Sequence, residues 1–442
     1  MYRIARPISR SARCTPDRGL PRHFADTAVK ARPPLTGTQS RRVITKPQPA
    51  SPLSVTPKLD DGNIMVFSDT KGTFVPVPYE WLRDHCHCES CVHPSTKQRL
   101  IETFDDISPL VAPESVKEES QTFCVKWNDG HESQYSKSWL SASGEKAKSR
   151  TSELQGMVEM KLWTGEEVKN AAPTVDYNNV MTTDRGLKAW LYTIRRYGFC
   201  YIDNTPVTPE ATEKLLERIA YIRHTHYGGF YDFTADLAKG DTAYTQLGIG
   251  AHTDNTYFSD PAGLQVFHLL SHPDGEGGAS QLVDGFAAAR QLLKEDPKAY
   301  QTLSQVQIDA HASGNEDSSI QPWTTFPTLI HDPIHDPFEG QLVQVRWNTT
   351  DRAAIDLPIE KMQDWYNAAR KWTNILKRFE YWEQLQPGKP LIFDNWRVLH
   401  GRSAFTGKRR ICGGYINRDD FISRFKMTNW GREKVLDLVA RG

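Results

Sequence analysis

The chain has 442 residues, with 54 Lys+Arg balanced by 54 Asp+Glu, so its formal charge is zero and a generally basic nucleic-acid binder is excluded. Hydrophobic residues at 38% and charged residues at 24% describe a globular protein. No apolar stretch approaches the ~18–20 residues of a membrane span. At roughly 100–200 residues per domain, the length suits one large domain with a smaller companion.

The balanced charge hides an asymmetry. Residues 1–50 hold nine arginines and two lysines but only two acids, Asp17 and Asp26. Arg-rich, acid-poor and rich in Ser, Thr and Pro is the composition of a mitochondrial transit segment. Residues 46–62 read as a Pro-rich linker. Short strands follow at 64–67, 73–77 and 123–127, the last running into the hairpin signal Asn128-Asp129-Gly130. Residues 60–150 are thus expected to form a small β-rich domain. Seven cysteines are an odd number for a disulfide framework, and three of them cluster at Cys86, Cys88 and Cys91. Cys-x-Cys-x-x-Cys supplies three thiolates from one loop, and a structural zinc needs a fourth ligand. His85, His87 and His93 compete for that place at short, strained spacing.

A larger domain is expected over 175–430. Leu187, Trp190, Leu191 and Ile194 recur at helical spacing and predict a helix over 186–197, ending at Gly198. A second amphipathic helix is read over 210–223, with further helices over 285–293 and 359–379. Strands are read at 199–202, 264–270, 280–283, 342–347, 390–393 and 411–416. Many separated strands with few helices point to a mainly β fold with packed helices, a jelly roll, rather than a doubly wound sheet. Residues 312–340 are polar, carry His-Asp-Pro twice and read as a mobile loop. No Gly-rich phosphate loop follows a strand.

The sharpest signal is His252-Thr253-Asp254. In extended chain, residues i and i+2 point the same way, so both side chains can face one metal. His400, after the strand-like LIFD run and within DNWRVLHGR, can return to the same site. Two histidines and one carboxylate on one face leave three positions open on a non-haem iron. Lys408, Arg409 and Arg410 follow eight to ten residues later and enter an apolar strand. A guanidinium offers a planar fork for the distal carboxylate of 2-oxoglutarate. Strand alternation lets only one of Arg409 and Arg410 point inward.

Together GDTAYTQLGIGAHTDNTYF, GGASQLVDGF, DNWRVLHGR and RRICGGYINRDD resemble the family of γ-butyrobetaine dioxygenase and trimethyllysine dioxygenase, from about Tyr79 to Asp420. The resemblance implies a double-stranded β-helix with a small N-terminal zinc-binding domain. It implies Fe(II), with 2-oxoglutarate and O2 as cosubstrates and ascorbate as reductant. His252, Asp254 and His400 would hold the iron, and Arg409 and Ser280 the 2-oxoglutarate. Many relatives carry Thr where Ser280 stands. Tyr227, Tyr231, Tyr244 and Tyr415 match an aromatic cage, with Tyr231 at a place where relatives usually carry Trp. A trimethylammonium has no N–H to donate and is recognised by ring faces. Asn348 matches a position that contacts the carboxylate end of the substrate. His131 matches the fourth zinc ligand beside Cys86, Cys88 and Cys91. A small trimethylammonium amino acid is the implied partner, with no nucleic acid and no membrane span; the family also suggests a homodimer and a mitochondrial matrix location.

Asp241 bears on the branch. Trimethyllysine carries an α-ammonium and γ-butyrobetaine does not, so a carboxylate here favours C3 hydroxylation of trimethyllysine in carnitine biosynthesis. γ-Butyrobetaine hydroxylation to carnitine is the alternative, and a non-catalytic zinc- and betaine-binding protein is a third reading.

Overall fold

The computed structural model describes residues 58–60, 64–68, 74–137, 139–140, 158–234, 245–332 and 341–440. The expected transit segment, Asp241, Tyr244 and the second His-Asp-Pro lie outside the described residues.

The N-terminal part holds two three-stranded antiparallel sheets. Strands β1 (Lys58–Asp60), β2 (Ile64–Ser68) and β3 (Phe74–Pro78) form the first, in that order. Helix α1 (Tyr79–Asp84) follows directly. Strands β4 (Pro113–Glu118), β5 (Thr122–Trp127) and β6 (Glu132–Ser136) form the second. Alternation along β5 buries Phe123, Val125 and Trp127, which pack with Met65, Leu82 and Tyr135 in one core. Both flanking strands went unread because PESVKE and ESQYS carry little apolar alternation.

The larger part is a jelly roll of two facing sheets. Its strands are β7 (Thr174–Asp176), β8 (Phe199–Asp203), β9 (Tyr231–Thr234), β10 (Ile249–His252), β11 (Leu264–Ser271), β12 (Ser280–Asp284), β13 (Tyr381–Glu383), β14 (Leu391–Asp394), β15 (Val398–Arg402) and β16 (Arg410–Ile416). The six-stranded sheet has the order β7-β8-β14-β11-β16-β9, and the four-stranded sheet the order β10-β15-β12-β13.

These strands read as nearly continuous apolar runs because both faces are covered. On the six-stranded sheet, Val266, Ile392 and Ile416 pack against helices α2 (Asp184–Tyr197), α3 (Pro209–Glu217) and α7 (Arg418–Asn429). The alternate residues Phe199, Leu269, Phe393 and Ile411 face inward and meet Leu282 and Val398 of the other sheet. The outer face of the four-stranded sheet, with Val283 and Leu399, is covered by α4 (Gly285–Glu295), α5 (Pro297–Gln305) and α6 (Ile359–Arg378).

Two expectations change. The helix read over 210–223 stops at Glu217. Its remaining apolar residues keep helical spacing but serve the sheet instead: Ile222 bridges to Ile416, and the Arg223 N–H donates to the Tyr415 carbonyl at 2.8 Å. The segment read as a loop over 312–340 contains the short strands Ala312–Asn315, Ser318–Ile320, Phe326–Pro327 and Leu329–His331. His331 there is 2.6 Å from the Tyr300 hydroxyl.

Candidate functional site

The register of β10 against β15 sets the centre. His252 lies directly across from His400, with ring centroids 4.2 Å apart. Gly401, next to His400, makes this approach possible, since a Cβ there would come within 2.6 Å of the Ile249 carbonyl oxygen. Asp254 follows two residues after His252. Its Oδ1 is 3.1 Å from His252 Nε2 and 3.7 Å from His400 Nε2.

The loop that carries Asp254 is pinned at its backbone. The Asp254 N–H donates to Asn395 Oδ1 at 2.8 Å, and Asn395 Nδ2 donates to the carbonyls of Asp254 (3.0 Å) and Ala262 (3.1 Å). Thr253 and Trp347 exchange hydrogen bonds of 2.8 and 3.0 Å. Arg346, almost fully buried, donates to the carbonyls of Thr256 and Phe258, both at 2.7 Å, and so fixes the turn that follows.

The donor set fits a metal ion. His252 Nδ1 donates to the Gly250 carbonyl at 2.9 Å, which leaves Nε2 aimed at the Asp254 carboxylate. Two such acceptors this close require a positive charge, either a proton or a shared cation. With a proton alone, burial opposes charging His252 but the Asp254 hydrogen bond outweighs it and raises its pKa. Burial would raise the Asp254 pKa; the two imidazoles and Tyr415 overcome it and hold the carboxyl well below its usual range. Burial, with repulsion from His252, pushes His400 down to about 3, so its ring is neutral and able to accept a cation. All three ligand atoms lie within 4.8 Å of one another.

One wall of the same cavity is cationic. Arg409 and Arg402 both line it, and Ser280 is paired across the sheet from Arg402. Arg409 is 7% exposed and its Nε has no hydrogen-bond partner among the described residues. Burial, helped by Arg402, pulls its pKa to about 10. Phe405 lies under both guanidinium groups, at 4.8 Å for Arg402 and 5.6 Å for Arg409. Gly278 leaves room for Arg409, because a Cβ there would stand 3.1 Å from its Nε. Arg410 points the other way and is exposed, in a forked pair with Asp232. Such a wall suits a small dicarboxylate.

The same cavity is also lined by aromatic rings. Tyr227, Tyr231, Tyr257 and Tyr415 line it together. The rings of Tyr231 and Tyr415 are 6.0 Å apart and inclined at 66°, and the Tyr231 hydroxyl donates to the Val266 carbonyl at 2.7 Å. Asn348 and Asp351 stand in the same lining, joined by an Asn348 Nδ2 donation to Asp351 Oδ2 of 2.7 Å.

A second cluster occupies the N-terminal part. Cys86, Cys88 and Cys91 follow α1, and His131 follows the turn after β5. His131 Nε2 is 3.3, 3.6 and 3.5 Å from their three sulfurs. A tetrahedral zinc with Zn–S of ~2.3 Å and Zn–N of ~2.0 Å requires about 3.5 Å between such atoms. Arg83 donates to Asp129 at 2.9 Å and to Cys91 Sγ at 3.5 Å, and the Asp129 carboxylate accepts the His131 N–H at 2.8 Å. Burial, with the neighbouring Cys86, pushes the Cys91 thiol up to about 12, so only a cation would deprotonate it near neutral pH.

The structure thus gathers His252, Asp254, His400, Arg409, Ser280, Tyr227, Tyr231, Asn348 and Tyr415 around one cavity. Arg402, Tyr257, Asp351 and Gln265 join them without having been read from the sequence. Arg402 was legible, since it lies two residues past His400 in an extended strand. Gln265 left a fainter trace, a polar residue in an apolar run.

A facial His, Asp, His set inside a jelly roll, beside a buried arginine wall, defines a non-haem iron oxygenase that uses 2-oxoglutarate. Comparison with known proteins agrees. Residues 163–415 match the Taurine catabolism dioxygenase TauD, TfdA family, and residues 58–141 match the Gamma-butyrobetaine hydroxylase-like N-terminal domain. Trimethyllysine dioxygenase of Neurospora crassa is 47% identical over 410 residues, 84% of each chain. The Homo sapiens protein named mitochondrial trimethyllysine dioxygenase is 39% identical over 368 residues, 80% of this chain and 83% of that one. Gamma-butyrobetaine dioxygenase of a Pseudomonas species is 30% identical over 385 residues, 85% of this chain and 95% of that one. The chain belongs to the trimethyllysine dioxygenase group of the TauD, TfdA family of iron- and 2-oxoglutarate-dependent oxygenases.

Proposed function

We propose that this protein hydroxylates N6,N6,N6-trimethyl-L-lysine at C3, the first step toward carnitine. The observation that carries this reading is one cavity lined by tyrosines, by an iron-type triad and by two arginines. The relatives of higher identity bear the trimethyllysine name, while the γ-butyrobetaine enzyme is more distant.

Iron bound by His252, Asp254 and His400 would supply the oxidising chemistry, converting 2-oxoglutarate and O2 to succinate, CO2 and one oxygen atom for the substrate C–H bond. The side chains do the positioning. Arg409, with Ser280 and Arg402 beside it, neutralises and orients the distal carboxylate of 2-oxoglutarate. The faces of Tyr227, Tyr231, Tyr257, Tyr415 and Tyr244 receive the trimethylammonium group. Asn348 donates to the substrate carboxylate, and the carboxylates of Asp241 and Asp351 answer the α-ammonium. Held at both ends, the substrate presents C3 to the metal. γ-Butyrobetaine, whose only far-end group is a carboxylate, would meet repulsion from the same two acids.

Zinc held by Cys86, Cys88, Cys91 and His131 would crosslink a domain whose core is small (residues 60–150), and residues 175–430 would carry catalysis. Ascorbate would keep the iron reduced. The composition of residues 1–50 and the mitochondrial relatives support import into the mitochondrial matrix. A homodimer is the expected assembly, measurable by light scattering.

Trimethyllysine and unmethylated lysine, each supplied with Fe(II), 2-oxoglutarate and O2, test the reading. Addition of one oxygen atom to trimethyllysine alone, located at C3 by NMR, is expected. Equal oxygenation of lysine would overturn the role of the cage.

A further inference from the structure

The side chain of Asp254 is held as firmly as its backbone. Its Oδ2 accepts from Gln265 Nε2 at 2.7 Å and from the Tyr415 hydroxyl at 2.8 Å. Two donors fill the lone pairs of one carboxylate oxygen. Oδ1 alone is left to face His252 and His400. Gln265 and Tyr415 lie directly across from each other on β11 and β16, and 3.3 Å separates the amide nitrogen from the hydroxyl. The three side chains form one hydrogen-bonded cluster.

The orientation of Gln265 follows from chemistry. A carboxylate only accepts, so the amide nitrogen must face it. That choice leaves Gln265 Oε1 buried and without a partner among the described residues, in a residue 2% exposed. Its neighbours along β11, Leu264 and Val266, are apolar and fully buried. A glutamine held here at that desolvation cost is explained by Asp254, which is what its amide nitrogen meets.

We propose that Gln265 is a positioning residue for the iron ligand: with the Tyr415 hydroxyl it occupies Asp254 Oδ2 and commits Oδ1 alone to the metal. A carboxylate free to turn and chelate would fill a position that 2-oxoglutarate or O2 requires. Tyr415 also walls the trimethylammonium cage, so the same hydroxyl links the substrate pocket to the metal ligand. The inference rests on Asp254 being an iron ligand, as read above.

The test uses the full chain, zinc-replete and stripped of iron, titrated with Mn(II) and followed by electron paramagnetic resonance. Mn(II) favours oxygen and nitrogen ligands and leaves the thiolate cluster alone. Gln265→Met keeps length and removes the donor. Tyr415→Phe keeps the ring and removes the hydroxyl. Each is expected to weaken Mn(II) binding about 10-fold, within the range seen when a partner of a metal ligand is lost, and to change the line shape of bound Mn(II). Wild-type affinity and line shape in both variants would overturn the proposal. If Gln265→Met does not fold, Gln265→Leu takes its place, because Tyr415→Phe removes the hydroxyl and leaves the amide donor intact. Asp254→Ala separates the two layers of the argument. Wild-type Mn(II) affinity in Asp254→Ala would remove the ligand assignment itself. Lost affinity there, with both other variants unchanged, would remove only the role of Gln265.

Discussion

Arg409 is where function and stability should pull in opposite directions. Arg409 is 7% exposed, its Nε has no partner among the described residues, and Arg402 lines the same cavity. Burial pulls its pKa to about 10. Before 2-oxoglutarate binds, the group is a buried cation with donors to spare. Arg409→Met removes it at similar length. Hydrogen bonds to a charged group contribute ~1.5–3 kcal/mol each, and a guanidinium can give a carboxylate two. Arg402 recovers part of that loss. A net loss of roughly 3 kcal/mol corresponds to about a 150-fold weaker 2-oxoglutarate affinity. The metal-free, ligand-free variant gains instead, because an unsatisfied buried polar group costs ~1–3 kcal/mol. For a domain of this size that is a rise of a few degrees in melting temperature. Succinate formation against 2-oxoglutarate concentration measures the first effect, and thermal unfolding of the stripped protein the second. An unchanged KM for 2-oxoglutarate would refute the anion site. A lower melting temperature would show that Arg409 holds the fold together and that its lack of partners was misread.

Three further outcomes are expected. His252→Ala abolishes trimethyllysine turnover while circular dichroism stays that of the parent, and retained turnover would sink the iron assignment. Asp241→Asn raises the KM for trimethyllysine about tenfold, the scale of one lost charge pair, and affects γ-butyrobetaine less; equal losses would remove Asp241 from specificity. Cys91→Ser loses about one zinc per chain by elemental analysis and lowers the first unfolding transition, whereas unchanged metal content would leave the cluster a set of reduced thiols.

The sequence exposed chemistry more readily than geometry. His252 and Asp254 were legible because extended chain puts i and i+2 on one side. The pairing of His252 with His400 was not, since the register of β10 on β15 is a tertiary fact that neither strand encodes alone. The inward turn of Arg409 and the outward turn of Arg410 follow from alternation, but which of the two faced inward came from family resemblance. Arg402 was missed although the same alternation from His400 predicts it. The helix expected to reach Arg223 failed for a related reason. Ile219 and Ile222 keep helical spacing, yet Ile222 is drawn to the end of β16 at Ile416. Strands β4 and β6 lacked alternation strong enough to read, and they are ordered by pairing with β5. Gln265 shows the limit most clearly. Its polarity in an apolar strand was visible, but its partner Asp254 is brought close only by the fold.

The most direct measurement supplies trimethyllysine and γ-butyrobetaine in parallel to the chain with Fe(II), 2-oxoglutarate, O2 and ascorbate, and follows oxygen addition by mass spectrometry and succinate by NMR. Oxygenated trimethyllysine with little oxygenated γ-butyrobetaine is the predicted result. γ-Butyrobetaine as the better substrate would contradict the account, keeping the iron chemistry but overturning the roles given to Asp241 and Asp351.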